Sequence, residues 1–230
     1  MNVVAEDSRR IDADRLVALG VKLAVARQFS APAPLPAALV DDARRRAQAA
    51  LARNLDAYVR AGVVNAVSFI YDQIGDDGAQ ESLLRDEIRT ARSPYYYMAD
   101  LGEMEEKHGH RAQALAWFER AYRESQGDAT RFQWGNLYLG ALLRLAPANR
   151  QRIRETVASV LASLDGAERI QARTRYGLEK LDGRLRQWNA GHRYDADIKA
   201  IHQQMQQICT RLPANDAGLE SCRNFLAGSA

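Results

Sequence analysis

The sequence predicts an all-α protein of about eleven helices of ordinary length. Apolar residues recur at helical spacing through most of the 230 residues. Apart from Gly and Pro at segment edges, the composition is dominated by Ala, Leu, Arg, Gln and Glu, which are good helix formers. Because 47% of the residues are hydrophobic, the chain can bury a sizeable core without a metal or a disulfide.

The first helices follow a short polar segment. We predict a disordered tail over residues 1–10, which lacks the apolar stretch of a signal peptide. A first helix begins at Leu16 and stops at the Pro-rich segment 30–36, and a long second helix and a third helix follow it. The segment 75–78, Gly-Asp-Asp-Gly, lacks the alternating ligands of a calcium loop, so we interpret it as a helix stop and an N-cap.

The later helices carry clear apolar stripes. Each stripe places its members on one helix face at spacings of three and four. The members are Ile153, Val157, Val160, Leu161 and Leu164, then Leu178, Leu181, Leu185 and Trp188, then Ile198, Ile201, Met205, Ile208 and Leu212. No apolar run approaches the roughly 20 residues of a bilayer span, so we expect no membrane span.

Residues 95–126 contain a repeat motif. The segment runs Met98-x-x-Leu101-Gly102, turns at Gly109 and continues Ala114-x-x-x-Phe118-x-x-Ala121. This spacing resembles the tetratricopeptide (TPR) pattern. Small residues at Gly102 and Ala114 let two helices approach closely, while Leu101 and Phe118 fill the space beside that contact.

The motif also departs from the TPR pattern and weakens along the chain. Met98 stands where Trp is usual, Glu105 where Tyr is usual, and Gln126 where the closing Pro is expected. Downstream, Arg150 and Arg154 occupy the places of an Ala and an aromatic residue. The array therefore decays after its best copy.

A second, weaker copy lies 34 positions earlier, over residues 61–93. In it Tyr71 takes the aromatic position, Gly75 the turn, and Leu84 the place of Phe118. Because stability needs about three stacked repeats, we expect the flanking helices to form degenerate pairs. These pairs cover residues 11–60, 128–165 and 168–228. The resemblance implies one domain over 11–228, built as a right-handed α-solenoid whose concave groove holds a protein or peptide partner.

A broader resemblance covers roughly residues 60–226. Four segments, with Cys209 and Cys222, are similar to the C-terminal helical region of certain bacterial thioredoxin-fold proteins; they are 93–98, 129–135, 142–147 and 186–191. The resemblance implies an accessory domain of an exported protein, with an attached thioredoxin domain that carries the Cys-x-x-Cys. This chain contains no such motif, so redox activity is not transferred to it.

Cys209 and Cys222 are the two cysteines of the chain. Pro213, Asn215 and Gly218 allow a turn between them, and the periplasmic setting that the resemblance implies favours a disulfide worth about 3 kcal/mol. In a reducing cytoplasm both would be small buried hydrophobes. We therefore expect a periplasmic location if the chain derives from an exported parent, and a cytoplasmic one otherwise.

The aromatic residues around 95–97 and 132–138 form the candidate binding cluster. Three consecutive tyrosines on a helix cannot all face one way, so at least one points outward. Most of these rings can instead fill the core. The functional interpretation assigns a peptide-binding surface to Tyr96, Tyr97, Arg131, Gln133 and Trp134, because aromatic and Arg side chains concentrate binding energy.

We find no catalytic motif, and we expect no cofactor or metal. Nucleophile-elbow, P-loop, dinucleotide and zinc-protease signatures are all missing from the sequence. His108 and His110 flank a turn with no third ligand at a suitable spacing. The cluster 44–46 of three arginines follows Asp41 and Asp42, which is typical of an ion-paired, solvated face rather than a nucleic-acid site.

The sequence thus favours a non-catalytic protein-interaction or scaffolding module. One alternative is a nucleic-acid-associated helical protein, which only the pI of 8.9 and the clustered arginines support. A second is an enzyme with an unrecognised site, which a deep pocket with converging titratable residues would reveal.

Overall fold

The computed structural model describes residues 12–165 and 169–228. Over these residues it contains eleven helices and no strand, which confirms the all-α class. The predicted tail over residues 1–10 lies outside the described residues. The chain divides into two compact units, Met1–Arg92 and Ser93–Ala230, whereas the sequence predicts one domain over 11–228.

The first unit is built around one central helix. Its helices are α1 (Asp12–Ser30), α2 (Ala37–Leu51), α3 (Ala57–Ile74) and α4 (Asp77–Thr90). Helix α3 contacts α1, α2 and α4. Its apolar stripe is fully buried at Val63, Val67 and Ile70, because these residues recur on the face that the other helices cover.

Local capping sets the ends of α3 and α4. Asp56 Oδ1 accepts from the backbone N–H of Tyr58 at 3.0 Å and of Val59 at 3.1 Å. Gly75 closes α3 with a φ of 73°, in the left-handed region that suits glycine. Asp76 then caps α4. The helix stop and N-cap predicted for 75–78 are confirmed.

The second unit contains the other seven described helices. They are α5 (Tyr95–Lys107), α6 (Arg111–Glu124), α7 (Asp128–Leu145), α8 (Arg150–Ala162), α9 (Ala172–Trp188), α10 (Asp195–Cys209) and α11 (Leu219–Asn224). Helix α6 packs on α5 and α7, and α7 also contacts α8 and α9. Helix α10 packs on α8, and the short α11 contacts α9 and α10.

The α5–α6 hairpin places the motif residues in its interface. A Cβ added at Gly102 would lie 2.9 Å from Cε1 of Phe118, so the backbone of α5 and the Phe118 ring are in tight contact. Ala114 is fully buried and Gly109 adopts a φ of 80° in the turn. The remaining motif residues are also buried, namely Met98, Leu101, Phe118 and Ala121.

Candidate functional site

An open groove of about 660 Å³ runs across the second unit. Three helices line it: α5 on one side, α7 along the floor and α9 on the other side. The α9 residues follow one helix face, at 173, 177, 180 and 184. The lining side chains on which the site depends are Asp100, Glu103, Phe132, Gln133, Trp134, Asn136, Tyr176, Lys180 and Arg184.

Glycines hold α7 in place as the floor. A Cβ on Gly135 would clash with Cγ2 of Val160 and lie 2.9 Å from Cε2 of Tyr122, so this face of α7 is fixed against α6 and α8. At the groove, a Cβ on Gly177 would lie 2.7 Å from Cε1 of Phe132. The close approach lets Asn136 Nδ2 donate to the Gly177 carbonyl oxygen at 2.9 Å.

Aromatic rings form the junction of α5 and α7. The ring of Trp134 lies 5.5 Å from that of Tyr95 and 5.0 Å from that of Tyr96, the latter in an edge-to-face arrangement. Tyr96 is 44% exposed, so part of this cluster faces solvent. The buried indole Nε1 of Trp134 has no hydrogen-bond partner among the described residues.

The α5 wall is acidic. Asp100 lies half-buried in the groove beside Glu103, one helical turn away. Burial, and secondarily the Glu103 carboxylate, raise the pKa of Asp100 to about 7. None of the described residues forms a hydrogen bond or ion pair with Asp100, so its charge is uncompensated when the carboxyl ionises.

The α9 wall is basic. Arg184 Nη1 lies 3.3 Å from Oδ1 and 3.4 Å from the carbonyl oxygen of Asn136, and none of the described carboxylates pairs with it. Burial, followed by the nearby Arg144 guanidinium, lowers the pKa of Arg184. Nearer the start of α9, Lys180 Nζ lies 5.1 Å from the ring centre of Tyr176, which is 60% exposed.

The structure brings together only part of the predicted binding surface. Gln133 and Trp134 line the groove, and Tyr96 packs on Trp134. Tyr97 is 4% exposed and is not among the residues that line the groove. Arg131 also faces elsewhere, with its guanidinium 5.3 Å from the ring centre of Tyr122.

Several groove residues are missed by sequence reasoning. Asp100, Tyr176 and Arg184 belong to no motif, and each lies on the polar side of a helix whose apolar stripe is the evident signal. The polar sides of α5 and α9 could be read from the sequence. That they face one groove depends on the packing of α7 between them, which local periodicity does not encode.

Other predicted features lie outside the groove. The sulfur atoms of Cys209 and Cys222 are 2.01 Å apart, as in a disulfide that ties the end of α10 to α11. His110 Nδ1 lies 2.7 Å from Glu105 Oε2, in the turn where His108 also lies. Within residues 12–165 and 169–228, no group of three or more potential His, Cys, Asp or Glu ligands is suited to a metal.

The arginine cluster of α2 is ion-paired. Arg44 Nε lies 2.9 Å from Asp76 Oδ2, and Asp42 pairs with Arg45 at 2.5 Å and with Arg46 at 2.8 Å. This is the ion-paired face that the sequence indicates. Of the helices described, none is both long and apolar enough to cross a bilayer.

The groove offers binding groups rather than an activated nucleophile. Its hydroxyls come from Thr130, Thr174 and Tyr176, and its described lining includes no His or Cys. None of the described residues gives Asp100 the hydrogen-bonded partner of a nucleophile and base pair. Aromatic faces and separated charges are suited to holding a polar segment of another molecule.

No protein-family model matches the chain. No curated protein matches it either.

Proposed function

We propose that this chain is a non-catalytic protein-interaction module that holds a peptide segment of a partner in the groove of its second unit. The observation that carries the proposal is the groove itself, lined by three helices and edged by the exposed ring of Tyr176. Beside it, the exposed ring of Tyr96 packs on the lining residue Trp134. Aromatic side chains at the rim of such a groove supply contact area at low entropic cost.

The TPR-like interpretation fits this proposal. Helix α6 contacts α5 and α7, and α9 contacts α7, as in helical pairs that are added one after another. Helices α5, α7 and α9 all line the groove. We propose that the second unit is a short right-handed stack of this type. The role as an accessory domain of an exported bacterial thioredoxin-family protein rests on the sequence resemblance alone.

The two alternative functions have weaker support. The nucleic-acid alternative relied on clustered arginines, and Arg44, Arg45 and Arg46 all have acidic partners in the structure. The enzyme alternative is favoured by Asp100, whose pKa is raised to about 7 inside the groove. A single carboxyl group without a hydrogen-bonded partner favours binding over catalysis.

A selection from a random peptide library on the purified chain tests the proposal. We expect enriched peptides to bind about tenfold more weakly to Tyr176→Ala, because the ring forms the rim of the groove. Tyr58→Ala is the matched control, since Tyr58 is 90% exposed in the first unit. Enriched peptides that bind both variants as well as the unmodified chain would place binding elsewhere and reject the groove.

A further inference from the structure

The two walls of the groove carry opposite charges. Asp100 and Glu103 lie on α5, and Arg184 with the exposed Lys180 lies on α9. Helix α7 separates the walls, so these charges do not pair with one another: none of the described ion pairs joins α5 to α9. The separation leaves a groove with an acidic side and a basic side.

Arg184 shows why the basic side needs an anionic group. A half-buried guanidinium loses hydration, and a carboxylate partner restores the lost interaction. In the described structure Arg184 has only the neutral oxygens of Asn136. The neighbouring guanidinium of Arg144 repels that of Arg184. Arg144 forms its own ion pair with Glu106, in which Nη2 lies 2.7 Å from Oε2.

Asp100 is the corresponding residue on the acidic wall of the groove. Its carboxyl group is half-buried beside the like-charged Glu103 and receives no hydrogen bond from a described residue. A cationic group placed beside Asp100 would compensate its charge and the repulsion from Glu103. Between the walls, the floor offers the apolar surface of Phe132 and Trp134.

We infer that the groove recognises an extended peptide segment carrying a basic side chain at Asp100 and a carboxylate at Arg184, with apolar side chains between them. This inference rests on the proposed function and names the chemistry of its partner. With α7 between them, the axes of α5 and α9 are roughly 16–20 Å apart at usual helix spacings. An extended chain crosses this distance in about five or six residues.

Four fluorescent peptides test the inference by anisotropy at low salt. One has Lys-Ser-Leu-Ser-Leu-Ser-Glu at its centre, one has the two charges exchanged, and two carry Lys or Glu at both ends. We expect one mixed-charge peptide to bind the unmodified chain about tenfold more tightly than either like-charge peptide. The two mixed peptides should differ, because an extended backbone has a direction.

A charge-exchanged variant distinguishes recognition of the charge positions on the peptide from nonspecific electrostatic attraction. Glu103 and Lys180 are exposed, so Glu103→Lys with Lys180→Glu leaves the core unchanged. We expect this double variant to lose the preference between the two mixed-charge peptides, because Asp100 and Arg184 remain in place and each wall then carries charges of both signs. Arg173→Glu, another exposed change in the groove, should weaken the preferred mixed peptide and the Glu-ended peptide while leaving the Lys-ended peptide no weaker.

The outcomes distinguish the two levels of the proposal. Equal binding of all four peptides, with loss of binding in Tyr176→Ala, would overturn the charge inference and leave the interaction module standing. Unchanged peptide preference in both charge variants would also overturn it. If none of the four peptides binds and the library yields no groove-dependent sequence, both the inference and the proposed function fail.

Discussion

The α3–α4 and α5–α6 hairpins bury residues that lie 34 positions apart in the sequence, and they do so with different chemistry. In α5–α6, Gly102 lies against the ring of Phe118, and Ala114 is buried beside them. The positions 34 residues before Gly102 and Ala114 hold Ser68 and Gln80. There Gln80 Nε2 donates to Ser68 Oγ at 3.2 Å, and both side chains are buried.

The contrast continues two helical turns further along α6 and α4. Ala121 of α6 is fully buried, and the residue 34 positions earlier is Glu87 of α4, which is 3% exposed. The carboxylate of Glu87 is satisfied by Arg60, whose Nε lies 3.0 Å from Oε1. One spacing of buried positions can therefore be filled either by close apolar packing or by paired polar groups.

The largest expected effect comes from breaking the polar pair. Arg60→Ala leaves the Glu87 carboxylate buried without a described partner, so we expect the free energy of unfolding at pH 7 to fall by about 3–5 kcal/mol. Adding Glu87→Gln removes the charge at nearly constant volume and should recover a large part of the loss. Urea denaturation of the single and double variants measures both effects.

An exposed ion pair on α4, the helix that also carries Glu87, is the control for Arg60→Ala. Arg89 and Asp86 are 69% and 58% exposed, so Arg89→Ala should change the stability by less than about 1 kcal/mol. Equal losses in Arg60→Ala and Arg89→Ala would mean that Glu87 is not held by its ion pair.

The second-largest expected effect concerns the apolar contact between Gly102 and Phe118 in the α5–α6 hairpin. A methyl group added by Gly102→Ala would lie 2.9–3.0 Å from carbons of the Phe118 ring, so we expect a loss of about 1–3 kcal/mol. Phe118→Leu introduces the residue that α4 carries at Leu84. This smaller side chain should make Gly102→Ala less costly in the double variant than in the single one.

Gly183→Ala is the matched control within the second unit. Nothing lies within 4 Å of a Cβ added at Gly183 in α9, so the substitution should stabilise the chain by roughly 0.5–1 kcal/mol through helix propensity. A Gly102→Ala variant as stable as Gly183→Ala would show that the motif glycine is not required for close packing. Thermal unfolding followed by circular dichroism decides between these outcomes.

The comparison also shows how much the sequence could predict. Stripes such as Ile198, Ile201 and Met205 identify their helices because burial on one face is a local, periodic property. Glycines with positive φ, such as Gly75 and Gly109, mark turns for an equally local reason. The all-α class and most helix positions follow from signals of this kind.

The candidate site was predictable only in part. The sequence singles out Trp134 as a member of an aromatic cluster and Gln133 as its neighbour, but it does not decide which of three adjacent tyrosines faces the core. Asp100 and Arg184 are ordinary polar residues of amphipathic helices until α7 brings their faces to one groove. The predicted single domain over 11–228 and the two compact units differ at residues 92 and 93, which the predicted 34-residue spacing spans.

Asp100 supplies the smallest and most pH-dependent difference between the hairpins, since the residue 34 positions earlier is the buried Ala66. The pKa of Asp100 is about 7 in the folded chain against a usual 3.8. The folded state therefore binds more protons between these values, and ionisation of Asp100 lowers stability as the pH rises from about 4 to 7.

Asp100→Asn should raise the free energy of unfolding by about 1–2 kcal/mol at pH 8, since the carboxyl group keeps some contact with water, and by almost nothing at pH 4. Urea denaturation at the two pH values measures the difference, with Glu179→Gln as a control for an exposed carboxylate on α9. If Asp100→Asn were equally stabilising at pH 4 and pH 8, the gain would come from packing, and the contrast with Ala66 would be steric rather than electrostatic.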